Sequence, residues 1–164
     1  VKVHHLIRLM VFVLCLAAGG VTAEDPQRFL TFDGDSVRVS DFRGQGYWLI
    51  LMIWSHDCPL CRREAPRYQT LHARHSGGEI RILGLSLDGE TEAMEAWAFT
   101  AEHNLEFPNL IGEPHDVIDF FQRESGQPFL GTPSWLIFSP RGELKAAHAG
   151  AIDPSQIEAF VRQF

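Results

Sequence analysis

The stretch that most narrows what this chain can become runs from Tyr47 to Cys61. Eight unbroken apolar residues, Tyr47-Trp-Leu-Ile-Leu-Met-Ile-Trp54, are followed by Ser55-His-Asp57 and then by Cys58-Pro-Leu-Cys61. A continuous apolar run of this length, bounded by polar residues, is expected of a strand covered on both faces. Pro59 suits the first turn of a helix reaching about His75, and Gly77-Gly78 follow its end. A second unit of the same kind comes next. Glu79-Ile-Arg-Ile-Leu-Gly-Leu-Ser86 is another buried strand, and Glu90 to His103 is a helix in which Ala93, Met94, Trp97 and Ala101 recur at helical spacing. Two consecutive β–α units place their strands parallel in one sheet.

Simpler elements surround this centre. Arg28-Phe-Leu-Thr-Phe32 and Ser36-Val-Arg-Val39 flank the turn Asp33-Gly34-Asp35 and form an N-terminal β-hairpin. A shorter helix is expected from about His115 to Arg123. Ser134-Trp-Leu-Ile-Phe138 and Leu144-Lys-Ala-Ala-His148 flank Ser139-Pro-Arg-Gly142 and supply antiparallel strands. Asp153 caps a last helix that opens with Pro154 and runs to Phe164. The expected fold class is α/β, a central mixed β-sheet with helices on both faces. No repeat or linker divides it, and 164 residues suit one domain.

The first 23 residues read differently. Lys2 and Arg8 precede the apolar run Leu9 to Ala18, and Val21-Thr-Ala23 resembles a cleavage site, the order of a secretory signal peptide. A spanning helix needs about 20 apolar residues, so an uncleaved membrane anchor is the alternative. The expected organisation is a signal at 1–23 and a folded domain at 24–164, periplasmic or secreted. The folded part then carries 12 basic against 21 acidic residues, a formal charge of −9. That excludes the basic footprint of a nucleic-acid binder.

Removing the leader also removes Cys15 and leaves Cys58 and Cys61 as the remaining cysteines. Exported proteins generally meet oxidising surroundings, where structural disulfides join distant segments. A bridge between residues three apart closes almost no loop and stabilises little. Its position suggests chemistry instead. Cys58 falls where a buried strand meets a helix, and free backbone N–H groups together with the helix dipole favour the thiolate there. Cys61 lies one turn on, on the same face, within bridging reach. Cys58 is thus the candidate nucleophile and Cys61 the resolving thiol of a redox-active disulfide, with no further cofactor and no resident metal.

Tetrahedral zinc sites usually take four ligands, and His56, Cys58 and Cys61 offer three. Haem attachment requires His after the second cysteine, where Arg62 stands. Carriage of a soft metal such as Cu(I) by His56, Cys58 and Cys61 stays open as the alternative function. The Thr-x-x-Cys arrangement expected for peroxide activation is missing, with Ser55 at the Thr position. Glu64 shares the helical face of Cys61 and could relay protons, although spacing alone favours a solvated carboxylate pairing with Arg67 or Tyr68. Gly131-Thr-Pro133 precedes a buried strand. A cis bond there would leave the Thr132 backbone free to pair with a peptide, whereas base rates favour trans.

The motif Trp54-x-x-x-Cys58-Pro-x-Cys61-Arg-x-Glu64-x-Pro66, with Gly131-Thr-Pro133 downstream, resembles the TlpA/ResA group of bacterial thioredoxin-like proteins. The resemblance covers nearly all of the chain after the leader. It implies a thioredoxin-like fold with cis Pro133 beside the cysteines, an active-site role for Glu64, and a client surface formed by Trp54, Pro59, Thr132 and Pro133. It also implies a monomeric reductant of protein disulfides. The clients would be protein thiols or disulfides, apocytochrome c among them, and the electrons would come from a membrane thiol donor. One departure is Asp57, where the group commonly carries an aromatic residue. A carboxylate beside Cys58 disfavours its thiolate, while a protonated His56 favours it. His72, His75, His103, His115 and His148 are scattered and read as surface or half-buried residues.

Overall fold

The computed structural model describes residues 27–164, so the expected leader at 1–23 lies outside the described residues. The hairpin forms from β1 (Phe29–Thr31) and β2 (Ser36–Val37), paired antiparallel. The two β–α units follow: β3 (Trp48–Trp54) with α1 (Pro59–Arg74), and β4 (Ile80–Ser86) with α2 (Ala93–Glu102). Next come β5 (Asn109–Ile111), α3 (Pro114–Ser125), the pair β6 (Ser134–Phe138) and β7 (Leu144–Ala149), and α4 (Pro154–Val161). All seven strands join one sheet in the order β2-β1-β5-β4-β3-β6-β7. β3, β4 and β5 run parallel, and the pairs to either side are antiparallel. The expected mixed sheet is therefore present.

Strand β3 lies inside the sheet, between β4 and β6, and divides the interior. Successive side chains of a strand point to opposite faces, so Trp48, Ile50, Met52 and Trp54 enter one core while Leu49, Leu51 and Ile53 enter the other. The first core is closed by α1, α2 and α4, through Tyr68, Leu71, Phe99 and Ile157 among others. The second is closed by α3 through Val117, Phe120 and Phe121. Every residue of β3 is buried, which is why its sequence shows no polar alternation.

Three differences from expectation stand out. β5 was not anticipated: three residues give too little pattern to read, and its strand character comes from pairing with β4 and β1. Helix α3 begins at Pro114 and runs two residues past Arg123, whereas α4 stops at Val161 rather than Phe164. The third difference is the face that α2 buries. Ala96 and Phe99 point inward, while Met94 and Trp97 are 72% and 52% exposed. Apolar residues ring this helix, so periodicity could not select a face. The Phe99 ring settles it by stacking on Trp54, with centroids 4.5 Å apart.

Candidate functional site

The site forms where β3 ends and α1 begins. Cys58 is the N-cap residue of α1, extended at φ −76° and ψ 111°, and Pro59 occupies the first turn. An N-cap side chain normally offers an oxygen to one of the helix's unpaired N–H groups. Here sulfur takes that place, and the Cys61 N–H donates to Cys58 Sγ at 3.1 Å. Cys58 and Cys61 are joined in a disulfide with Cα atoms 5.2 Å apart, inside the usual bridging range. Cys58 keeps 8% of its surface and Cys61 none. A partner sulfur can thus approach Cys58 before Cys61.

The second wall is the loop before β6. The Thr132–Pro133 peptide is cis, as the family resemblance implies and against the base rate for X–Pro bonds. The Thr132 carbonyl oxygen lies 3.4 Å from Cys58 Sγ. Ser134 donates its hydroxyl hydrogen to the Gly131 carbonyl at 2.6 Å, which ties the loop back onto the start of the strand. Thr132 is half-buried and Pro133 buried, whereas Pro59 and Leu130 face solvent, Leu130 at 77% exposure. Cys58, Pro59, Thr132 and Pro133 are therefore gathered at one place.

Trp54, expected at the client surface, is enclosed instead. It is 1% exposed, stacks on Phe99, and donates from Nε1 to Asn109 Oδ1 at 3.1 Å. Gly84 leaves room for that bond, since a Cβ at this position would fall on Asn109 Oδ1 and lie 2.9 Å from Trp54 Nε1. The indole thus seats the end of β3 from beneath and offers a client no surface. Its partner Asn109 belongs to the strand that the sequence did not reveal.

The loop Ser55–Asp57 is held at several points. The His56 N–H donates to Asp88 at 3.0 Å, and Arg62 donates to the His56 carbonyl at 3.0 Å. Ser55 gives its hydroxyl hydrogen to Asp57, which is exposed. Asp88 is a buried carboxylate, oriented by the Ser86 hydroxyl at 2.6 Å. His56 Nδ1 lies 3.0 Å from Asp88 Oδ1 and 3.7 Å from Glu92 Oε2. The shorter approach is electrostatic, because the ring edge is not aligned for a hydrogen bond. His56, Asp88 and Glu92 bring three ligand-type atoms within 4.8 Å of one another. These are imidazole and carboxylate donors rather than the thiolates that suit Cu(I), and Nδ1 of His56 is turned toward them. Sequence reasoning missed Asp88; a carboxylate two residues beyond a buried strand was the available signal. His72, His75, His103, His115 and His148 are half-buried or exposed, as expected.

Glu64 is not a solvated helical carboxylate. It is 4% exposed, its Oε1 lies 3.4 Å from Arg67 Nη1, and its Oε2 is buried without a hydrogen-bond partner. Pairing with Arg67 is present, with the carboxylate buried and the guanidinium at the surface. Below it, Tyr68 is fully enclosed, stacks on Trp135 with centroids 4.1 Å apart, and donates to the Ile152 carbonyl at 2.9 Å. Burial, reinforced by the nearby Glu64 charge, raises the Tyr68 phenol well above its ordinary value, so it stays neutral.

Comparison with known proteins agrees with this geometry. Residues 21–147 match the AhpC/TSA family. The chain is 28% identical over 130 residues to the thiol-disulfide oxidoreductase ResA of Oceanobacillus iheyensis, covering 79% of this chain and 62% of that protein. Against ResA of Halalkalibacterium halodurans it is 25% identical over 129 residues, covering 79% and 68%. The match thus spans roughly two thirds of those relatives' own length. Among solved structures, the thioredoxin domain of a thiol-disulfide oxidoreductase from Bacteroides vulgatus superposes with a TM-score of 0.67 at 21% identity, covering 82% of this chain and 92% of that one. The fold is thioredoxin-like.

Proposed function

The chain belongs to the AhpC/TSA family, and from that premise we propose that it is an exported thiol–disulfide oxidoreductase that reduces protein disulfides through Cys58 and Cys61. The observation that carries this reading is the sulfur N-cap: Cys58 Sγ receives the Cys61 N–H at 3.1 Å at the head of a 16-residue helix. A thiolate at that atom gains a hydrogen bond and the positive end of the helix dipole. The ResA relatives are named for the same exchange.

In the forward direction the Cys58 thiolate attacks one sulfur of a client disulfide. A Cys58–client bond forms and the client's other sulfur leaves as a thiolate. Cys61 then loses its proton to Glu64 and attacks Cys58 Sγ, which forms the Cys58–Cys61 bond and releases the second client sulfur. Two electrons pass to the client, and an external dithiol must return them. A membrane-embedded thiol donor suits that need, and apocytochrome c is the client that the resemblance suggests. Thr132 and Pro133 would face the client backbone beside Cys58, with Pro59 at the rim.

The charges around the site support the reducing direction. His56 faces Asp88 and Glu92, Arg62 meets Glu102 at 2.8 Å, and Arg63 is exposed on α1, where solvent screens its charge. Asp57 adds a further carboxylate next in sequence to Cys58. Little positive charge remains to over-stabilise the reduced thiolate, the device of strong oxidants. A potential near thioredoxin's roughly −270 mV is expected on equilibration with glutathione buffers, read by tryptophan fluorescence. A value above about −180 mV would make the protein an oxidase or isomerase instead. Peroxide chemistry is disfavoured because the Ser55 hydroxyl is engaged by Asp57.

The decisive experiment compares Cys58→Ser with Cys61→Ser in disulfide reduction and on non-reducing gels. Cys58→Ser should lose exchange, and Cys61→Ser should accumulate mixed disulfides with clients. If only Cys58→Ser trapped partners, the two roles would be reversed.

A further inference from the structure

Arg67 stands one turn beyond Glu64 on α1 and reaches two carboxylates at once. Nη1 is 3.4 Å from Glu64 Oε1, while Nη2 bonds to Asp153, the residue that caps α4. Glu64 is 4% exposed, and Arg67 is the hydrogen-bond donor it has among the described residues. A long, 47% exposed arginine would ordinarily sample many rotamers and contribute little. Asp153 removes that freedom. Its Oδ1 is itself held by the Ser155 N–H at 2.9 Å and the Ser155 hydroxyl at 2.7 Å, so the guanidinium is anchored on a fixed point.

We propose that Arg67, anchored by Asp153, is a positioning residue for disulfide exchange: it holds Glu64 through Oε1 and leaves the enclosed Oε2 as the atom that takes the proton of Cys61. This rests on the exchange reading given above for Cys58, Cys61 and Glu64. A proton acceptor must be ionised when it acts and must keep a lone pair free. A guanidinium that met both oxygens side by side would favour ionisation but occupy the pair. The single contact at Oε1 favours ionisation and leaves Oε2 without a partner. The proton leaves Cys61 Sγ for Oε2, the new thiolate attacks Cys58 Sγ, and the client sulfur departs with the bonding pair. Glu64 then returns the proton to that sulfur or to water, and the carboxylate is restored.

The sign of the expected effect follows from the charges that face Glu64. On α1 these are Arg67 and the neutral Tyr68 hydroxyl, with Cys61 one turn earlier; from α4 comes Asp153. One cation serves two anions. Without Arg67, the buried Glu64 carboxylate loses its counter-charge, and burial then favours the protonated form. Glu64 would then hold its own proton more tightly and accept that of Cys61 less readily.

The test is the single-turnover rate of the reduced full chain against a protein disulfide, insulin, from pH 5 to 9. Wild type, Arg67→Ala, Arg67→Lys, Glu64→Gln and the double variant Arg67→Ala/Glu64→Gln are compared. In Arg67→Ala the rising limb should move to higher pH by about one unit, a tenfold loss on the acid side that is recovered as the pH rises. Arg67→Lys should restore much of the wild-type profile, and the double variant should match Glu64→Gln alone. A uniform loss at every pH in Arg67→Ala, or losses that multiply in the double variant, would overturn the proposal and leave Arg67 a strut between α1 and α4. The underlying reading fails differently: Glu64→Gln would then keep wild-type rates, or exchange would survive Cys58→Ser. Thermal midpoints of each variant verify that the fold is retained.

Discussion

Helices α1 and α4 both start with a capping residue followed by proline, Cys58-Pro59 in one and Asp153-Pro154 in the other. Both caps accept a backbone N–H, at 3.1 Å from Cys61 and at 2.9 Å from Ser155. Helix α3 also opens with proline after Glu113, but it has no side-chain cap, since Glu113 accepts from the Glu90 N–H instead. The same local need, an unpaired N–H at a helix head, is thus met by a permanent carboxylate in α4 and by sulfur in α1. The carboxylate gives a fixed charge, held down below its ordinary value mainly by the Ser155 hydroxyl and N–H. The sulfur gives a charge that exists only when the pair is reduced and Cys58 is ionised. A cap becomes a reaction centre when its acceptor atom can gain and lose a covalent partner without leaving the cap position.

That contrast can be broken at several points. The largest effect should come from Cys58→Ser, which keeps a good cap but removes the nucleophile. Exchange should vanish, while urea unfolding should give the stability of reduced wild type. Next, Cys58→Ala removes the cap as well, and should unfold about 1 kcal/mol more easily than Cys58→Ser. Equal stabilities would mean that the sulfur is not acting as a cap. Asp153→Ala is the converse case: the thermal midpoint falls by a few degrees as α4 loses its cap, and exchange is slowed through the unanchored Arg67 but not abolished as in Cys58→Ser. The smallest effect concerns charge alone. Asp153→Asn keeps the cap acceptor, and the carboxylate's titration is depressed in the fold, so its contribution is present above about pH 4 and lost as pH falls through the folded value. The stability gap between wild type and Asp153→Asn should therefore close below about pH 4. A gap that persists in acid would assign the effect to packing.

The parts legible in the sequence are those where residue pattern and local structure coincide. The run Tyr47 to Trp54 read as a doubly covered strand, which Trp48–Trp54 forms, and Asp153-Pro154 read as the head of a helix, which it is. Cys58 and Cys61 were readable for the same reason, since the strand–helix junction is written into the flanking residues. What stayed hidden depends on contacts between distant segments. β5 exists through its neighbours in the sheet, and Trp54 is enclosed because Phe99 and Asn109 arrive from α2 and β5. Glu64 looked like a surface residue by spacing alone. Its burial follows from the packing of α4 on α1, and the family resemblance rather than the pattern pointed to it.

The two outer strands have a consequence for how the protein behaves in a crowd. A sheet edge exposes a row of free N–H and C=O groups that can template the addition of another chain. Here one edge is β2, only two residues long. The other is β7, whose register against β6 slips between Ile137 and Phe138 and which carries Lys145. Short length, an irregular ladder and an edge lysine are all features that blunt strand-by-strand growth. The unbroken apolar strand β3 has β4, β5, β1 and β2 on one side and β6 and β7 on the other, so its fibril-prone segment, Leu49 to Ile53, lies at neither free edge.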